Sequence, residues 1–520
     1  MKTGTNPIER HKAEKDGLDI LTEIEELAAH HGGWETLEPG DRERLKWIGT
    51  FFRKPTPGRF MMRIRITNGQ ATSRQLRALA EAARRLGNDT LDLTTRQQIQ
   101  LRAIQIKDVP EILEALRGVD LTSLQTGLDN VRNVNCCPLA GLTGAELFDA
   151  SPVGFEYTDS FLNNKEFSNL PRKFNVTITG CLENCTHSET QDLGMTPAVR
   201  RSDGVSGFNV TVGGKMGSGG MTVAQPLDAF VEQSEAARLA AAITRLFRDE
   251  GSREQRTRNR LAFLIQDWGI GRFRSELEMR WGKPLEEAQE DARTTAGTDH
   301  LGVQAQRAPG LSSVGLSVPT GRVTSSDLDG LARLADSYGN GELRLTTGQN
   351  IILANVADAG LPALLSEPLL KVFSPNAHPF LRGLVTCTGK DYCNLALVET
   401  KTISLGLSER LAQRFPLAGT TSINWSGCPA GCGNHHAADI GFQGAKARIN
   451  GEIVDAVSIF VGGRTGPDAR PGEKIMELVP VSLLEDVVPV ILSNLDTLRS
   501  LHRDSEAESR VVMVPAMPVI

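Results

Sequence analysis

The sequence predicts an α+β protein of two fused halves, each combining a small βαβ unit with a larger α/β unit. The first observation is an internal repeat: residues 64–101 align without gaps on residues 316–353, with sixteen of 38 positions identical. The second is that matching cysteine-bearing and glycine-rich segments follow each copy in the same order. The third is the length of 520 residues with 40% hydrophobic residues, which is too long for one core. A pseudo-twofold axis relating the halves is therefore expected.

Each copy of the repeat reads strand, helix, strand. In the first copy Leu76, Leu79 and Ala83 recur at helical spacing. Thr72 can cap the start of this helix, and Gly87 can end it. The flanking segments partly alternate between polar and apolar residues, which predicts strands with one face buried.

The duplication continues beyond the βαβ units. GCLENC at 180–185 matches GCPAGC at 427–432, and NVTVGGKMG at 209–217 matches SIFVGGRTG at 458–466. A period of this length is too long for a solenoid. Two fused halves are therefore the expected architecture, and a cofactor site is expected where they meet.

Composition excludes several classes of protein. The net charge of −6 argues against a general nucleic-acid binder. No apolar run is long enough to span a bilayer, and the N-terminus lacks the apolar core of a secretory signal. We therefore expect a cytoplasmic protein without a membrane anchor. In that compartment the eight cysteines are metal ligands or buried thiols rather than disulfides.

The second half carries a C-x5-C pair and a C-x3-C pair. Four thiolates from two short loops suit zinc or an iron–sulfur cluster. The five-residue gap fits zinc less well, and the glycine-rich setting of the second pair lets backbone amides approach cluster sulfurs. A [4Fe–4S] cluster is favoured over zinc or inert thiols, and its predicted ligands are Cys387, Cys393, Cys428 and Cys432.

The first half has no C-x5-C pair. Its cysteines are Cys136, Cys137, Cys181 and Cys185. Adjacent cysteines cannot easily both bind one metal, so these four are predicted to be buried thiols left from the duplication. A second cluster is the alternative.

The two halves also differ in charge. The cationic positions Arg63, Arg65 and Arg96 align with the neutral Gly315, Ser317 and Gly348. The first half keeps cations that the second half lacks, and the second half has the better-spaced cysteines. This difference indicates that the first half binds anions while the second binds a metal centre.

At these residues the sequence resembles the sirohaem nitrite/sulfite reductase family, and within it the ferredoxin-dependent nitrite reductases. The resemblance runs from about residue 40 to about residue 500 and rests on CTGKDYC with ALVETK, and SGCPAGCG with ADIG. It implies two ferredoxin-like half-domains, a [4Fe–4S] cluster on the four cysteines named above, and Cys432 as the shared axial ligand of a sirohaem iron. The chain departs from the family's usual pattern at Ala430, where relatives often place Asn.

The resemblance also implies the anion-handling residues. Sirohaem is rich in carboxylates, which guanidinium groups bind strongly. The implied catalytic residues are Arg63, Arg132, Lys173 and Asn175. The implied cofactor-binding residues are Arg96 and Gln100, with Arg65 and Arg172 as weaker candidates. Any single arginine could instead be a solvated surface residue.

Nitrite is the predicted substrate, reduced with six electrons to ammonia at the haem. Asn175 stands where family members that act on sulfite place a second lysine, and one cation fewer suits the monoanion. Lys173 could deliver protons. Asn175 could also merely cap a turn.

Electrons are expected from reduced ferredoxin. The glycine-rich segment 213–220 is a poor dinucleotide fingerprint, because no helix with an acidic partner follows it. Ferredoxins are acidic, and the basic stretch 253–260 is one candidate docking patch. A solvated helix face is the alternative explanation of that stretch. The His435–His436 pair beside Cys432 could tune local protonation, and a packing or hydrogen-bonding role is the equal alternative.

The predicted organisation has seven segments, and a monomer is expected. These are an N-terminal helical extension at 1–55, ferredoxin-like half-domains at 56–125 and 309–375, cofactor-binding halves at 126–285 and 376–502, a linker at 286–308 and a tail at 503–520. The alternative functions are a ferredoxin-dependent sulfite reductase, a related oxygenase of corrin biosynthesis, and a zinc-binding scaffold.

Overall fold

The computed structural model describes residues 6–29, 36–217, 219–294, 297–417 and 419–504. It divides into two compact units. The first unit comprises Met1–Lys215 and Thr222–Ala377, and the second comprises Met216–Met221 and His378–Ile520. Among the residues described, no helix combines the length and the apolar character needed to cross a bilayer.

The helices and strands follow one another along the chain as listed here. The helices are α1 (Pro7–Glu14), α2 (Ile20–Ala29), α3 (Pro39–Arg44), α4 (Ser73–Leu86), α5 (Val109–Arg117), α6 (Ser151–Phe161), α7 (Gln233–Glu250), α8 (Leu261–Trp268), α9 (Ile270–Trp281), α10 (Ser325–Tyr338), α11 (Leu361–Leu365), α12 (Pro379–Arg382), α13 (Lys401–Arg414), α14 (Leu484–Ser493) and α15 (Leu495–Asp504). The strands up to residue 232 are β1 (Thr50–Phe52), β2 (Phe60–Ile64), β3 (Gln70–Thr72), β4 (Leu91–Leu93), β5 (Ile99–Ile104), β6 (Val131–Asn135), β7 (Phe174–Ile178), β8 (Leu193–Val199), β9 (Ser206–Val212), β10 (Lys215–Gly217), β11 (Gly220–Thr222) and β12 (Gln225–Glu232). The remaining strands are β13 (Glu290–Asp291), β14 (Gly302–Ala305), β15 (Leu311–Leu316), β16 (Arg322–Val323), β17 (Glu342–Leu345), β18 (Ile351–Ala357), β19 (Leu384–Thr386), β20 (Ile423–Ser426), β21 (Ile440–Ile449), β22 (Glu452–Val461) and β23 (Glu473–Pro480).

The two copies of the repeat form two five-stranded sheets that exchange a strand. One sheet has the order β1-β2-β5-β4-β16, and the other has the order β14-β15-β18-β17-β3. Strand β16 of the second copy therefore completes the first sheet, and β3 of the first copy completes the second. This reciprocal exchange is what a pseudo-twofold relation between the two copies predicts.

The repeated residues occupy equivalent places in the two copies. Each long helix begins with a capping box, on Thr72 in α4 and on Thr324 in α10, and ends before a glycine. The predicted helix limits in the first copy are thereby confirmed. The shared glutamines bond across the pair: Gln97 Nε2 donates to Leu345 O at 2.8 Å, and Gln349 Nε2 donates to Leu93 O at 3.0 Å.

Replacing Gln97 by alanine is expected to lower the free energy of unfolding by about 3 kcal/mol, because buried backbone groups lose their partners. The Gln97 amide is fully buried and also pairs with both backbone polar groups of Cys136. Denaturation in urea followed by circular dichroism measures the loss. Gln255→Ala, at an exposed position, is the matched control, and equal midpoints for the two variants would contradict the expectation.

Three expectations differ from the structure. Strands β2 and β5 are buried on nearly every residue rather than on one face, because both belong to a core that also includes residues of helices α2, α4, α5 and α10. The predicted N-terminal extension contains β1, which pairs with β2. The predicted linker 286–308 contains β13 and β14, short strands that pair with β8 and β15. The predicted tail is 503–520, and its residues 505–520 lie outside the part of the chain that the structure describes.

The first unit also contains a six-stranded sheet of order β12-β9-β8-β7-β6, with β13 joined to β8. Strands β6, β7 and β8 are parallel to one another, so their carboxyl ends meet at one edge. The second unit repeats this plan in its sheet of order β19-β20-β21-β22-β23, where β19, β20 and β21 are parallel. In both sheets cysteines follow the first two parallel strands directly.

Candidate functional site

The four cysteines of the second half come together at the carboxyl edge of its sheet. Cys387 follows β19 and Cys428 lies two residues after β20. Burial, followed by the neighbouring thiols of Cys432, Cys393 and Cys387, raises the pKa of Cys428 to about 11. The four thiols are therefore near enough to influence one another's charge, and their role as ligands of one cluster stays a prediction.

Backbone amides point at these sulfurs. Gly427 N donates to Cys387 Sγ at 3.1 Å, and Leu395 N donates to Cys393 Sγ at 3.5 Å. An amide at Ala430 also bonds the Cys428 sulfur and lowers its pKa against the effect of burial. Amide donors stabilise thiolates and tune the potential of a cluster that they hold.

The sequence segments around the cysteines hold the loops in place. Glu399 of the ALVETK segment accepts bonds from three amides at the start of α13, including Lys401 N at 2.7 Å. Thr400 Oγ1 donates to Cys387 O at 2.8 Å. A Cβ at Gly433 would lie 2.0 Å from Trp425 O, so only glycine permits this approach of the second loop to β20.

The histidine pair follows the last of the four cysteines in the chain. His435 is buried, and its Nδ1 lies 2.8 Å from Ser426 Oγ. Burial, followed by His436, lowers the pKa of His435 to about 3. A neutral, packed His435 cannot supply protons near neutral pH, which favours the packing interpretation.

The face of the cysteine site is open and partly apolar. Cys432 is exposed, and Leu395 is 65% exposed beside Cys393. The segment Met216–Met221 belongs to this unit, where Met216 lies against Gly431. Exposed apolar side chains around a thiol site fit coverage by a large flat group, and the four thiols fit a [4Fe–4S] cluster.

A group of arginines lies in the first unit. Arg63 Nη1 donates to Thr126 O at 3.0 Å, and Arg132 Nη1 donates to the same oxygen. Burial lowers the pKa of Arg132, and the neighbouring guanidinium groups of Arg63, Arg96 and Arg172 lower it further. These guanidinium groups carry like charges and repel one another, so an anion bound among them would be strongly stabilised.

Asn175 lies within this group. With its amide oriented to satisfy its neighbours, the oxygen accepts from Arg96 Nη2 at 2.9 Å and Arg260 Nη2 at 3.2 Å. Its backbone N–H donates to Asp192, which also forms a bidentate pair with Arg260. Asn175 therefore bridges two cations and does more than cap a strand end.

Asp129 supplies the buried counter-charge beneath the arginines. Its carboxylate is fully buried and pairs with Arg256 at 2.9 Å, with Lys12 at 3.4 Å and with Arg172 at 3.7 Å. Burial alone would raise the pKa of Asp129, but Lys12 and Arg256 outweigh it and lower the pKa below its usual value. The arrangement fixes the position of Arg172 at the edge of the group.

Asp129→Asn is expected to destabilise the first unit by about 3–5 kcal/mol at neutral pH, because it leaves buried cations without their partner. A carboxyl group with a lowered folded-state pKa stabilises above its unfolded pKa of about 3.9, and this stabilisation is lost as pH falls through the folded value. The wild-type stability should therefore fall below about pH 4 more steeply than that of the variant. Thermal midpoints from pH 3 to pH 8 measure both effects, with exposed Asp159→Asn as the control; parallel profiles would contradict the assignment.

The other predicted site residues have different surroundings. Arg65 is 3% exposed, its guanidinium donates to the carbonyl oxygens of residues 124, 125, 131 and 132, and burial lowers its pKa to about 9. These bonds give it a role in holding the backbone. Gln100 is buried and accepts from Arg102 at 2.7 Å. Lys173 is half-buried in the segment between Arg172 and β7.

The docking prediction for the basic stretch 253–260 is weakened but untested, because three of its four arginines are held in ion pairs and only Arg258 is exposed. The stretch is a loop between α7 and α8, and Arg253, Arg256 and Arg260 pair with Glu9, Asp129 and Asp192. These carboxylates neutralise the cations that an acidic partner would need.

Sequence reasoning missed two cations of the site. Arg260 contacts Asn175, and Lys215 is buried nearby, where burial and then Arg260 lower its pKa. The repeat held a clue to the second, because Lys215 in NVTVGGKMG aligns with Arg464 in SIFVGGRTG. The sequence pattern also gave no indication of a role for His300.

Comparison with known proteins gives matches along nearly the whole chain. Residues 127–285 and 377–511 match the nitrite and sulphite reductase 4Fe-4S domain, and residues 52–119 and 304–370 match the nitrite/sulfite reductase ferredoxin-like half domain. The predicted duplicated architecture is thereby confirmed.

Three individual proteins illustrate the similarity. A ferredoxin–nitrite reductase of Synechococcus elongatus is 48% identical over 494 residues, covering 94% of this chain and 96% of that protein. A chloroplastic ferredoxin–nitrite reductase of Zea mays is 42% identical over 509 residues, covering 94% and 89%. The structure of the Mycobacterium tuberculosis NirA protein superposes with a TM-score of 0.90 at 28% identity and covers 98% of both chains. The chain therefore belongs to the nitrite and sulphite reductase family.

Proposed function

We propose that this protein reduces nitrite to ammonia with electrons from reduced ferredoxin. The observation that carries the proposal is the convergence of four thiols at the carboxyl edge of parallel strands β19 and β20. The similarity to proteins named ferredoxin–nitrite reductase extends over 94% of the chain and supports the same function.

The cofactors of the proposal are a [4Fe–4S] cluster and sirohaem. Cys387, Cys393, Cys428 and Cys432 would hold the cluster, and the exposed Cys432 would also bind the sirohaem iron. Of the arginines, Arg96 and Arg172 would bind its carboxylates, for which guanidinium forks are well suited. When bound, the coupled pair supplies the six-electron reducing chemistry that side chains lack.

The chain's own residues would bind nitrite and supply positive potential. Arg63 and Arg132 present two guanidinium groups beside one carbonyl oxygen, so they are positioned together without further movement. Lys173 follows Arg172 in the same segment and can donate protons. Developing negative charge on the nitrite oxygens would be stabilised by this group.

Asn175 supports nitrite over sulfite. Its amide lies between Arg96 and Arg260 and adds no charge of its own. Sulfite carries more negative charge than nitrite near neutral pH, so a neutral residue here favours the monoanion. A ferredoxin-dependent sulfite reductase is the alternative that the experiment must separate.

The proposal includes a soluble carrier as donor and a cytoplasmic location, where reducing conditions keep the cluster thiols reduced. The docking surface for the donor is not assigned to the stretch 253–260, because three of its four arginines are held in ion pairs. A monomer remains the expected state.

The test is a side-by-side assay of the purified holoprotein with nitrite and sulfite. Reduced ferredoxin and a reduced viologen dye serve as donors in separate arms. We expect turnover of nitrite with both donors and a specificity constant kcat/KM for nitrite well above that for sulfite. A larger constant for sulfite would overturn the substrate assignment, and activity with the dye alone would overturn the donor assignment.

Asn175→Lys is expected to raise the sulfite-to-nitrite ratio of kcat/KM at least about tenfold, a shift of about 1.4 kcal/mol. The added cation increases the positive potential between Arg96 and Arg260, which benefits the more highly charged anion. Asn376→Lys adds the same charge at an exposed position and should leave the ratio unchanged. An unchanged ratio in Asn175→Lys itself would show that this position does not select the substrate.

A further inference from the structure

The first half's cysteines form a cluster of their own with a histidine from the segment between the halves. The candidate ligand atoms of Cys137, Cys181, Cys185 and His300 all lie within 4.8 Å of one another. All four residues are buried, and His300 is 2% exposed. Cys136 is also buried but is not part of this cluster.

The cluster lies at the carboxyl edge of the first unit's parallel strands. Cys137 follows β6, while Cys181 and Cys185 follow β7 with the three-residue spacing common in zinc-binding pairs. His300 reaches it from the segment that joins β13 to β14. The position in the sheet matches that of the cluster cysteines in the second unit, but the ligand set is different.

The loops around the four side chains are fixed by bonds that leave the ligand atoms facing inward. Thr347 Oγ1 donates to Cys185 O at 2.8 Å, and Leu182 N donates to Ala145 O at 3.0 Å. Thr294 N donates to Leu182 O at 2.7 Å from the other side. The loop 181–185 is therefore held by three other segments of the chain.

The histidine is aimed into the cluster. His300 Nε2 lies 3.5 Å from Cys137 Sγ. Its other ring nitrogen, Nδ1, is buried and has no hydrogen-bond partner within the described part of the chain. Nε2 therefore lies beside the Cys137 sulfur, where a metal ion shared with the thiols would be bound.

We propose that Cys137, Cys181, Cys185 and His300 bind one structural zinc ion. Zinc bound to thiolates at about 2.3 Å and to imidazole at about 2.0 Å separates its tetrahedral ligand atoms by about 3.8 Å. The observed limit of 4.8 Å suits this single ion with slight contraction. An iron–sulfur cube holds its thiolates farther apart, because each binds a different iron.

The ion would link the segment between β13 and β14 to the six-stranded sheet of the first unit. Four protein ligands and complete burial leave no open position for substrate, which is the pattern of structural rather than catalytic zinc. The proposal does not depend on the activity proposed above, because no substrate or electron carrier enters this site.

The test is metal analysis of the purified holoprotein after dialysis against a chelator, together with X-ray absorption at the zinc edge. We expect about one zinc per chain, bound by three sulfurs and one nitrogen. Cys181→Ser and His300→Ala should each lower the zinc content at least fivefold while iron content and visible absorption are retained. Cys136→Ser, the same change at the adjacent buried cysteine, should keep its zinc.

Several results would overturn the proposal. These are wild-type protein with little zinc, zinc surrounded only by oxygen, extra iron and sulfide in its place, or equal zinc in Cys181→Ser and wild type. The absorption measurement on the wild type decides the matter alone if the variants fail to fold. Loss of nitrite reduction with full zinc content would count against the proposed function and not against this site.

Discussion

Cys432→Ser is expected to abolish nitrite reduction, with a loss of more than about a thousandfold in turnover. A serine hydroxyl stays protonated at neutral pH, and its hard oxygen replaces a soft sulfur that iron prefers. The family resemblance implies Cys432 as the ligand shared by cluster and haem, and Cys432 is the exposed member of the four thiols, which is compatible with that proposed role.

The measurement combines nitrite consumption with a reduced dye, iron and acid-labile sulfide per chain, and the visible spectrum. Cys136→Ser makes the same chemical change at a buried cysteine outside both metal sites, and should keep activity and spectrum. A Cys432→Ser protein that retains its spectrum and most of its activity would refute the ligand assignment.

Arg132→Gln is expected to lower kcat/KM for nitrite about a hundredfold, the usual effect of removing one group that stabilises developing negative charge. Glutamine is neutral but can still donate to Thr126 O, so the local backbone keeps a partner. The lost charge also relieves repulsion with Arg63, which should leave stability nearly unchanged.

Steady-state kinetics at several salt concentrations measure this effect, with iron content as the check on cofactor loading. Arg74→Gln removes the same charge at an exposed position of the same unit and is the control. If both variants lose the same small factor, the effect is one of overall charge, and Arg132 does not contact the substrate region.

Much of the candidate site could be read from local sequence. Cys387 and Cys428 lie just after β19 and β20, and parallel strands bring their carboxyl ends to one edge, so the cysteine spacing predicts thiols close to one another. The capping residue Thr72 and the glycine after α4 set the helix limits by local bonding. These features depend on residues close in the chain.

The remainder depends on partners far apart in the sequence. Arg256 is neutralised by Asp129, which lies 127 positions away, and no local pattern reveals such a pair. Strands β3 and β16 have three residues and two residues, too few to show any periodicity. His300 stands in a polar stretch, so only the folded chain shows that three thiols surround it.

The exchange of β3 and β16 has a consequence for the origin of the molecule. A single ferredoxin-like copy would lack the edge strand that its sister provides, so it could complete its sheet only by pairing with a second identical chain. Such a swapped homodimer, once joined end to end by gene fusion, no longer needs equal members. The two halves could then diverge in sequence independently, as the replacement of Arg63, Arg65 and Arg96 by Gly315, Ser317 and Gly348 in the second copy shows.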